Sequence, residues 1–269
     1  MLPKISIVTP SFNQGAFIET AIKSIVYQNY ENLEYFVFDG GSSDKTLDIL
    51  HKYSKHVDFW VSEKDEGQSD AISKGISRSS GEIIGWINSD DALYPGSLNK
   101  VGKFFELNPD TDVLIGGLSY ADSDGKIIKN NFYFPLSRFL SSTGVIAFGQ
   151  QSMFFRKSAY EKVGSIRKDF HFCMDTELVY RFLENGCEFK VTHNLLGVFR
   201  WHQNMKSINR EGRKAYEEKY ISRRYNYRSN IYYVAKVIYI ARQLLNGNYL
   251  KSLVSKLYPY RNIDDIWNI

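Results

Sequence analysis

Over its first 120 residues the chain alternates short β-branched or aromatic runs with stretches whose apolar residues recur at helical spacing, and this alternation restricts the fold more than any other feature. Strands are expected at Lys4–Thr9, Leu33–Phe38, Val57–Val61, Glu82–Asn88 and Val113–Leu118. Helices are expected between them, at Gly15–Gln28, Lys45–Tyr53, Gln68–Arg78 and near Ser97–Leu107. The first carries its apolar stripe on Phe17, Ile18, Ala21, Ile22, Ile25 and Val26. Such strand–helix–strand units imply an α/β, Rossmann-like fold with a mostly parallel central sheet flanked by helices. Beyond residue 120 the pattern changes. Asp124-Gly125 marks a hairpin between Leu118–Ala121 and Ile127–Phe134, so the sheet is expected to be mixed. A strand near Ser152–Arg156, a helix at Asp175–Glu184 stopped by Asn185-Gly186, and an extended run at Lys190–Trp201 follow. From about Glu211 the chain is helical by propensity, with breaks near Asn246-Gly247 and Pro259.

In open α/β sheets a ligand sits outside the carboxyl ends of the strands. Four strand ends here are polar: Thr9-Pro10-Ser11-Phe12-Asn13, Asp39-Gly40-Gly41-Ser42-Ser43-Asp44, Glu63-Lys64-Asp65-Glu66-Gly67-Gln68-Ser69-Asp70, and Asn88-Ser89-Asp90-Asp91. Taken singly, Asp39-Gly40-Gly41-Ser42 reads equally as a turn, Asp44 as a helix cap and Asp70 as a first-turn acid favoured by the helix dipole. Asp90 and Asp91 differ, because adjacent carboxylates repel one another and attract a cation. Four polar ends on one rim point to one ligand. No GxGxxG follows the first strand and no GxxxxGK(S/T) occurs, so a dinucleotide-dependent hydride transfer and a P-loop hydrolase both lose their basis. What remains is a nucleotide held without a glycine cradle, its diphosphate neutralised by a metal on carboxylates, which describes a nucleotide-sugar site.

Composition sets the remaining bounds. With 269 residues, 43% of them hydrophobic and 24% charged, the chain is an ordinary globular protein of one large domain or one and a half. Cys173 and Cys187 cannot staple a chain of this size and read as buried apolar residues in a reducing, cytoplasmic compartment. Met1-Leu2-Pro3-Lys4 runs directly into strand-like sequence, too short for a signal peptide, and no stretch reaches ~18 apolar residues without a charge. Charge is uneven. Residues 206–261 hold thirteen Lys/Arg against three acids, and ten tyrosines lie between positions 216 and 260. Residues 1–205 carry a net charge of −4. An acidic body bearing a basic tail disfavours nucleic acid as the partner, since no RNA-binding motif accompanies it. The Tyr, Lys and Arg mixture of 211–261 suits a lipid headgroup boundary, while packing on the body or on a second copy, as a homodimer, is the alternative.

The motifs Ser6-Ile7-Val8-Thr9-Pro10-Ser11-Phe12-Asn13, Asp39-Gly40-Gly41-Ser42-Ser43-Asp44-Lys45-Thr46 and Gly81-Glu82-Ile83-Ile84-Gly85-Trp86-Ile87-Asn88-Ser89-Asp90-Asp91 resemble, in order and spacing, the N-terminal signatures of the family 2 glycosyltransferases with the GT-A fold. The resemblance covers roughly residues 4–205 and implies an inverting transferase of bacterial surface-polysaccharide synthesis. It divides the chain into a catalytic part at 1–205, with a nucleotide-sugar half (1–120) and an acceptor half (121–205), and a helical extension at 206–269. It implies that Pro10, Phe12, Asn13 and Asp39 surround the base and ribose, with Asp65, Gln68 and Asp70 near the same nucleotide. Asn88-Ser89-Asp90 occupies the family's DXD position, in which the last carboxylate binds Mn²⁺ or Mg²⁺. Met174-Asp175-Thr176-Glu177-Leu178 looks like the base motif, placing Asp175 as general base, and Trp201-His202 resembles a late histidine that joins the metal. The donor implied is a nucleoside-diphosphate sugar, with uridine the expected base, and the acceptor a saccharide, lipid-linked at the cytoplasmic membrane.

Two positions depart from the pattern: Asn88 stands where Asp is usual, and Gly40 where many relatives carry a second Asp. With Ser89, Asn88 is still expected at the nucleotide sugar, since an amide oxygen can bond a ribose hydroxyl; it brings no charge, so metal affinity is expected to rest on Asp90, Asp91 and His202, and an imidazole ligand favours Mn²⁺. From the residues alone, Asp175 also reads as a helix N-cap and His202 as a surface histidine near a strand end. Gln150 and Gln151 precede a strand and are expected either to touch acceptor hydroxyls or to finish a strand edge. Because of Asn88, a sugar-binding module without turnover stands as the alternative function.

Overall fold

The computed structural model describes residues 1–206, 212–254, 262, 263 and 267. One sheet organises them. Its first part comprises the parallel strands β1 (Ile5–Ser11), β2 (Leu33–Asp39), β3 (Phe59–Ser62) and β4 (Ile83–Trp86), in the order β3-β2-β1-β4. The crossovers are α1 (Ile18–Val26), α2 (Thr46–Tyr53) and α3 (Gln68–Arg78). Every residue of β1 is buried, as expected of a strand covered on both faces. Its side chains alternate between two cores: Ile5 and Ile7 pack with Ile18, Ile22 and Ile25 of α1, whereas Val8 packs with Ala71, Ile72 and Ile76 of α3.

The second part is mixed. After β5 (Ala92–Leu93) and α4 (Ser97–Leu107) come the long β6 (Val113–Ala121) and its hairpin partner β7 (Ile127–Asn131), turning at Gly125 with φ 81°. The short helix α5 (Arg138–Ser141) leads through a connecting segment to β8 (Met153–Arg156), then α6 (Lys157–Val163), α7 (Met174–Glu184) and β9 (Phe189–Arg200). The sheet continues past β4 as β8-β6-β9-β5, with β8 antiparallel to both its neighbours, β9 parallel to β6 and β5 antiparallel to β9. This is the α/β mixed sheet read from the sequence, with its hairpin in place.

Details differ at strand ends. β1 and β2 extend to Ser11 and Asp39, while β4 stops at Trp86, short of the expected Asn88, because Ile87 is the last residue still bonded to β1. The chain then turns, with Asp91 N donating to Asn88 O at 3.0 Å. That early stop frees the acidic segment from the sheet.

The extension begins with α8 (Arg213–Arg224), which lies against α7 rather than apart from it. Ile221 belongs to the same buried cluster as Leu178, Val179 and Phe182, and Tyr220 packs edge-on against Phe170 at 5.5 Å. α9 (Tyr232–Leu245) buries Ala235 against Phe134 and Leu140, and α10 (Asn248–Val254) ties back through Asn248 Nδ2 to Tyr133 O at 3.0 Å. No helix among the described residues is long and apolar enough to cross a membrane. Glu211 and the sites expected at Tyr258, Pro259 and Tyr260 lie outside the described residues.

Candidate active site

A cavity of about 890 Å³ opens at the carboxyl ends of β1 to β4. Pro10, Ser11 and Phe12 enter it from β1 and the residue after it, Asp65, Gly67 and Gln68 from the β3–α3 connection, and Asn88 to Asp91 from the turn after β4. Gln150 and Gln151 come from the turn before β8, and Asp175 from the first turn of α7. Phe12 is 60% exposed, so a large apolar ring stands free at the rim where a planar base could stack on it.

The turn after β4 is held by one buried carboxylate. Asp91 is 2% exposed; its Oδ2 accepts from Asn88 Nδ2 at 3.0 Å and Gln151 Nε2 at 2.8 Å, and its Oδ1 from Arg200 N at 3.1 Å. Burial, and next the charge of Asp90, push its pKa well above the usual carboxylate range. Asn88 in turn accepts from Gln68 Nε2 at 2.7 Å. A carboxylate at position 88 would set a second negative group where the amide nitrogen now lies 3.0 Å from Asp91. The amide is therefore the side chain that a buried Asp91 accommodates, which accounts for the departure from DXD.

Asp90 points elsewhere. Its Oδ2 lies 3.1 Å from Nε2 of His202, a residue 4% exposed whose ring packs on Phe17 with centroids 4.5 Å apart. His202 is thus a buried partner of Asp90 and not a surface histidine. Among the described residues no group of three or more His, Cys, Asp or Glu is disposed to hold a metal. Asp91 is committed to protein donors on both oxygens and drops out of the expected metal set. Asp90, in the cavity wall, and His202 behind it pair one hard oxygen with one borderline nitrogen, donor types that a divalent cation takes.

Three expected nucleotide contacts turn out to build the rim instead of lining it. Asp39 is 2% exposed and its carboxylate accepts from Gly41 N, Ser42 N, Ser42 Oγ and Ser62 Oγ, at 2.5–3.2 Å, which spends it on shaping the loop after β2. Asn13, at φ 52°, donates through its N–H to Ser42 Oγ and accepts from Ser43 N, lacing the β1 and β2 loops together. Asp70 is buried between Lys74 at 3.0 Å and Lys168 at 2.5 Å. Burial opposes its ionisation, but the hydrogen bonds from Lys168 and Lys74 prevail and hold its pKa low. The second sequence departure lies against Asp65: a Cβ on Gly40 would come 3.0 Å from Asp65 Oδ2, so the carboxylate next to this spot is that of the β3–α3 loop.

Asp175 sits in the first turn of α7 and retains part of its exposure, yet burial raises its pKa. The N-cap of α7 is Cys173, so Asp175 is not the cap its spacing allowed. Gln150 and Gln151 are buried in a single 3₁₀ turn, and their amides donate to Trp86 O and Asp91 Oδ2 at 2.6 and 2.8 Å. They support the acidic turn more than they face solvent. Sequence patterns gave no sign of Lys206, whose Nζ donates to Gln68 Oε1 at 3.2 Å across 138 residues of chain, or of His171 and Phe172 in the cavity wall. Contacts of that range leave no local spacing to read.

Known proteins share this sequence pattern and this fold. The model of a family described as Glycosyl transferase family 2 matches residues 6–164. A glycosyltransferase of Mycobacterium tuberculosis is 30% identical over 189 residues, covering 66% of this chain and 68% of its own. The GalNAc(5)-diNAcBac-PP-undecaprenol β-1,3-glucosyltransferase of Campylobacter jejuni is 33% identical over 102 residues, 36% of this chain and 33% of that enzyme. Among solved structures, S. aureus TarS 1-349 superposes with a TM-score of 0.61 at 17% identity, over 73% of this chain and 60% of that one. Its complex with UDP-GlcNAc gives a TM-score of 0.63 at 16% identity, over 81% and 65%. At such identities the likeness is one of fold, and the chain spans about 60% of the TarS fragment.

Proposed function

We propose, from the premise that the chain belongs to glycosyl transferase family 2, that it moves a sugar from a nucleoside diphosphate, with uridine as base, to a hydroxyl of a lipid-linked saccharide, inverting the anomeric centre. The observation that carries this is a single cavity lined at once by Asp90, paired with His202, and by Asp175. Uridine is supported by the TarS complexes with UDP and UDP-GlcNAc, and a lipid-linked acceptor by the undecaprenol-linked substrate in the Campylobacter enzyme's name.

Phe12 stacks on the base and Asp65 lies beside it, in the space that Gly40 leaves open. Asp90 and His202 would hold Mn²⁺ or Mg²⁺, which would supply positive charge to neutralise the departing diphosphate, a contribution of several kcal/mol. Asp175 accepts the proton of the attacking hydroxyl as the new C–O bond forms, worth about 10²–10⁴-fold. Burial raises its pKa, which makes it a stronger base than a solvated carboxylate. One base opposite the leaving group implies one displacement, hence inversion. A binding module without turnover loses its motive, because Asn88 is accounted for by Asp91.

The extension supplies a place for the acceptor's membrane. On α9, Tyr233, Val237, Ile240 and Leu244 form one exposed apolar stripe, flanked by exposed Val234 and Leu245. Between Glu218 and Asp264 the chain has no acidic residue, while Lys236, Arg242 and Lys251 are exposed on or beside this stripe. An apolar stripe among uncompensated cations matches an anionic lipid leaflet, whereas two such helices facing each other as a dimer would bring like charges together.

The test is thermal denaturation with a panel of nucleotide sugars and Mn²⁺, followed by nucleoside-diphosphate release with a saccharide acceptor. A UDP-sugar that raises Tm only with Mn²⁺, and whose turnover is lost in Asp175→Asn, is the expected result. No stabilisation by any member of the panel would refute the assignment.

A further inference from the structure

The segment immediately before Asp175 is clamped from two sides. From α8, Glu217 is 2% exposed and accepts three backbone N–H groups: His171 on Oε1 at 2.8 Å, and Phe172 and Cys173 on Oε2 at 2.8 and 2.9 Å. From α3, the Ser69 hydroxyl reaches Phe170 O and lies 2.7 Å from Met174 Sδ. Cys173 is the N-cap of α7 and offers no side-chain cap of its own. Glu217 therefore satisfies the N–H of the N-cap residue and of the two residues before it across 44 to 46 residues of chain, at the end of the helix where a negative charge is most favourable. Charge-assisted bonds to main-chain N–H groups fix position as well as energy.

We infer that Glu217 is a positioning residue for the proton acceptor: through its three bonds to residues 171–173, α8 sets the place of Asp175 against the donor cavity, so the extension is part of the catalytic unit. The surroundings fit. Arg213, 3.6 Å from Glu217, also donates to Asp169 O, and Arg167 donates to the Tyr220 hydroxyl at 2.6 Å, so the whole stretch from 167 to 173 is laid against α8. His171 and Phe172 line the cavity next to Asp175, so displacement of this stretch alters the base and the cavity wall together. The inference rests on Asp175 acting as the base.

The experiment compares Glu217→Gln, Glu217→Asp and Asp175→Asn in the full chain, using the UDP-sugar that stabilises the wild type. Glu217→Gln turns one acceptor into a donor facing an N–H. It is expected to lower kcat about 10- to 100-fold, as misplacement by about 1 Å does, while the KM for the donor stays within twofold. Glu217→Asp keeps the charge and recovers part of that loss, and it also serves if the glutamine variant does not fold. A purely structural role would lower the yield or Tm of both variants and leave kcat per folded molecule unchanged, and that result overturns the inference. A rise in donor KM matching the fall in kcat overturns it as well, since it would put the effect on the nucleotide. Asp175→Asn separates the two levels. Full activity there removes the base assignment itself, whereas an inactive Asp175→Asn beside a fully active Glu217→Gln removes only the role of Glu217.

Discussion

At the residue scale, the site is organised by two carboxyls whose pKa values burial raises, Asp91 and Asp175. A carboxyl with a raised pKa in the folded state binds its proton more tightly there than in the unfolded chain. Its ionisation therefore costs stability as pH rises from the ordinary carboxylate pKa of about 4 through the raised value. Two outcomes follow for Asp175. Asp175→Asn removes turnover and is at least as stable as the wild type at pH 8, with the advantage shrinking toward pH 4, measurable as Tm against pH. In the wild type, kcat falls on the acid side at a pH above the usual carboxylate range, as protonation disables the base. Asn88→Asp is the complementary case. It restores the family's usual residue, yet sets two carboxylates about 3 Å apart, and is expected to lower stability by about 1–3 kcal/mol at neutral pH in urea denaturation without tightening Mn²⁺ binding. The sequence displayed Asp90, Asp91 and Asp175 plainly. It could not show that Asp91 would be consumed by Asn88, Gln151 and the Arg200 N–H, because those partners are brought together only by tertiary packing.

At the scale of elements, α3 shows how closely the layers meet. A Cβ on Gly75 would lie 2.3 Å from Val8 Cγ1, so the helix rests on β1 at a distance only glycine permits. Gly75→Ala improves helix propensity by about 1 kcal/mol but overpacks this contact, and a net loss of about 1–2 kcal/mol in a denaturant titration is expected. Periodicity found α3 and α4 with their observed bounds, Gln68–Arg78 and Ser97–Leu107, because each carries a full amphipathic stripe. It missed β5, whose two residues are strand only because Ala92 and Leu93 pair with Val198 and Gly197 of β9. It also missed α6, which is two turns long with Ala159 and Tyr160 as its buried residues, too short for a period to register. Sequence separation hid the support of the α7 N-terminus, since Glu217 and Cys173 are 44 residues apart in the chain.

For the whole molecule, three proposed regions meet: a nucleotide half, an acceptor half carrying Asp175, and a basic extension whose α8 positions Asp175 and whose α9 bears an exposed apolar stripe. The stripe makes a prediction of its own. Val237→Glu with Leu244→Glu places two charges on the exposed face, away from the Ala235 contact, and is expected to weaken binding to phosphatidylglycerol vesicles more than tenfold with Tm unchanged. Equal binding by the double variant, or a loss of dimer in sedimentation with no change in vesicle binding, would move the stripe from lipid to a second copy. The proposed function requires that Asp90, paired with His202, and Asp175 act on one nucleotide sugar in one cavity. Calorimetric titration of the UDP-sugar, with and without Mn²⁺, into the wild type, Asp90→Asn and Asp175→Asn tests it most directly. Asp90→Asn is expected to lose the Mn²⁺-dependent part of donor binding, while Asp175→Asn binds the donor as the wild type does and transfers nothing. Unchanged Mn²⁺-dependent binding in Asp90→Asn, or continued transfer by Asp175→Asn, would contradict it.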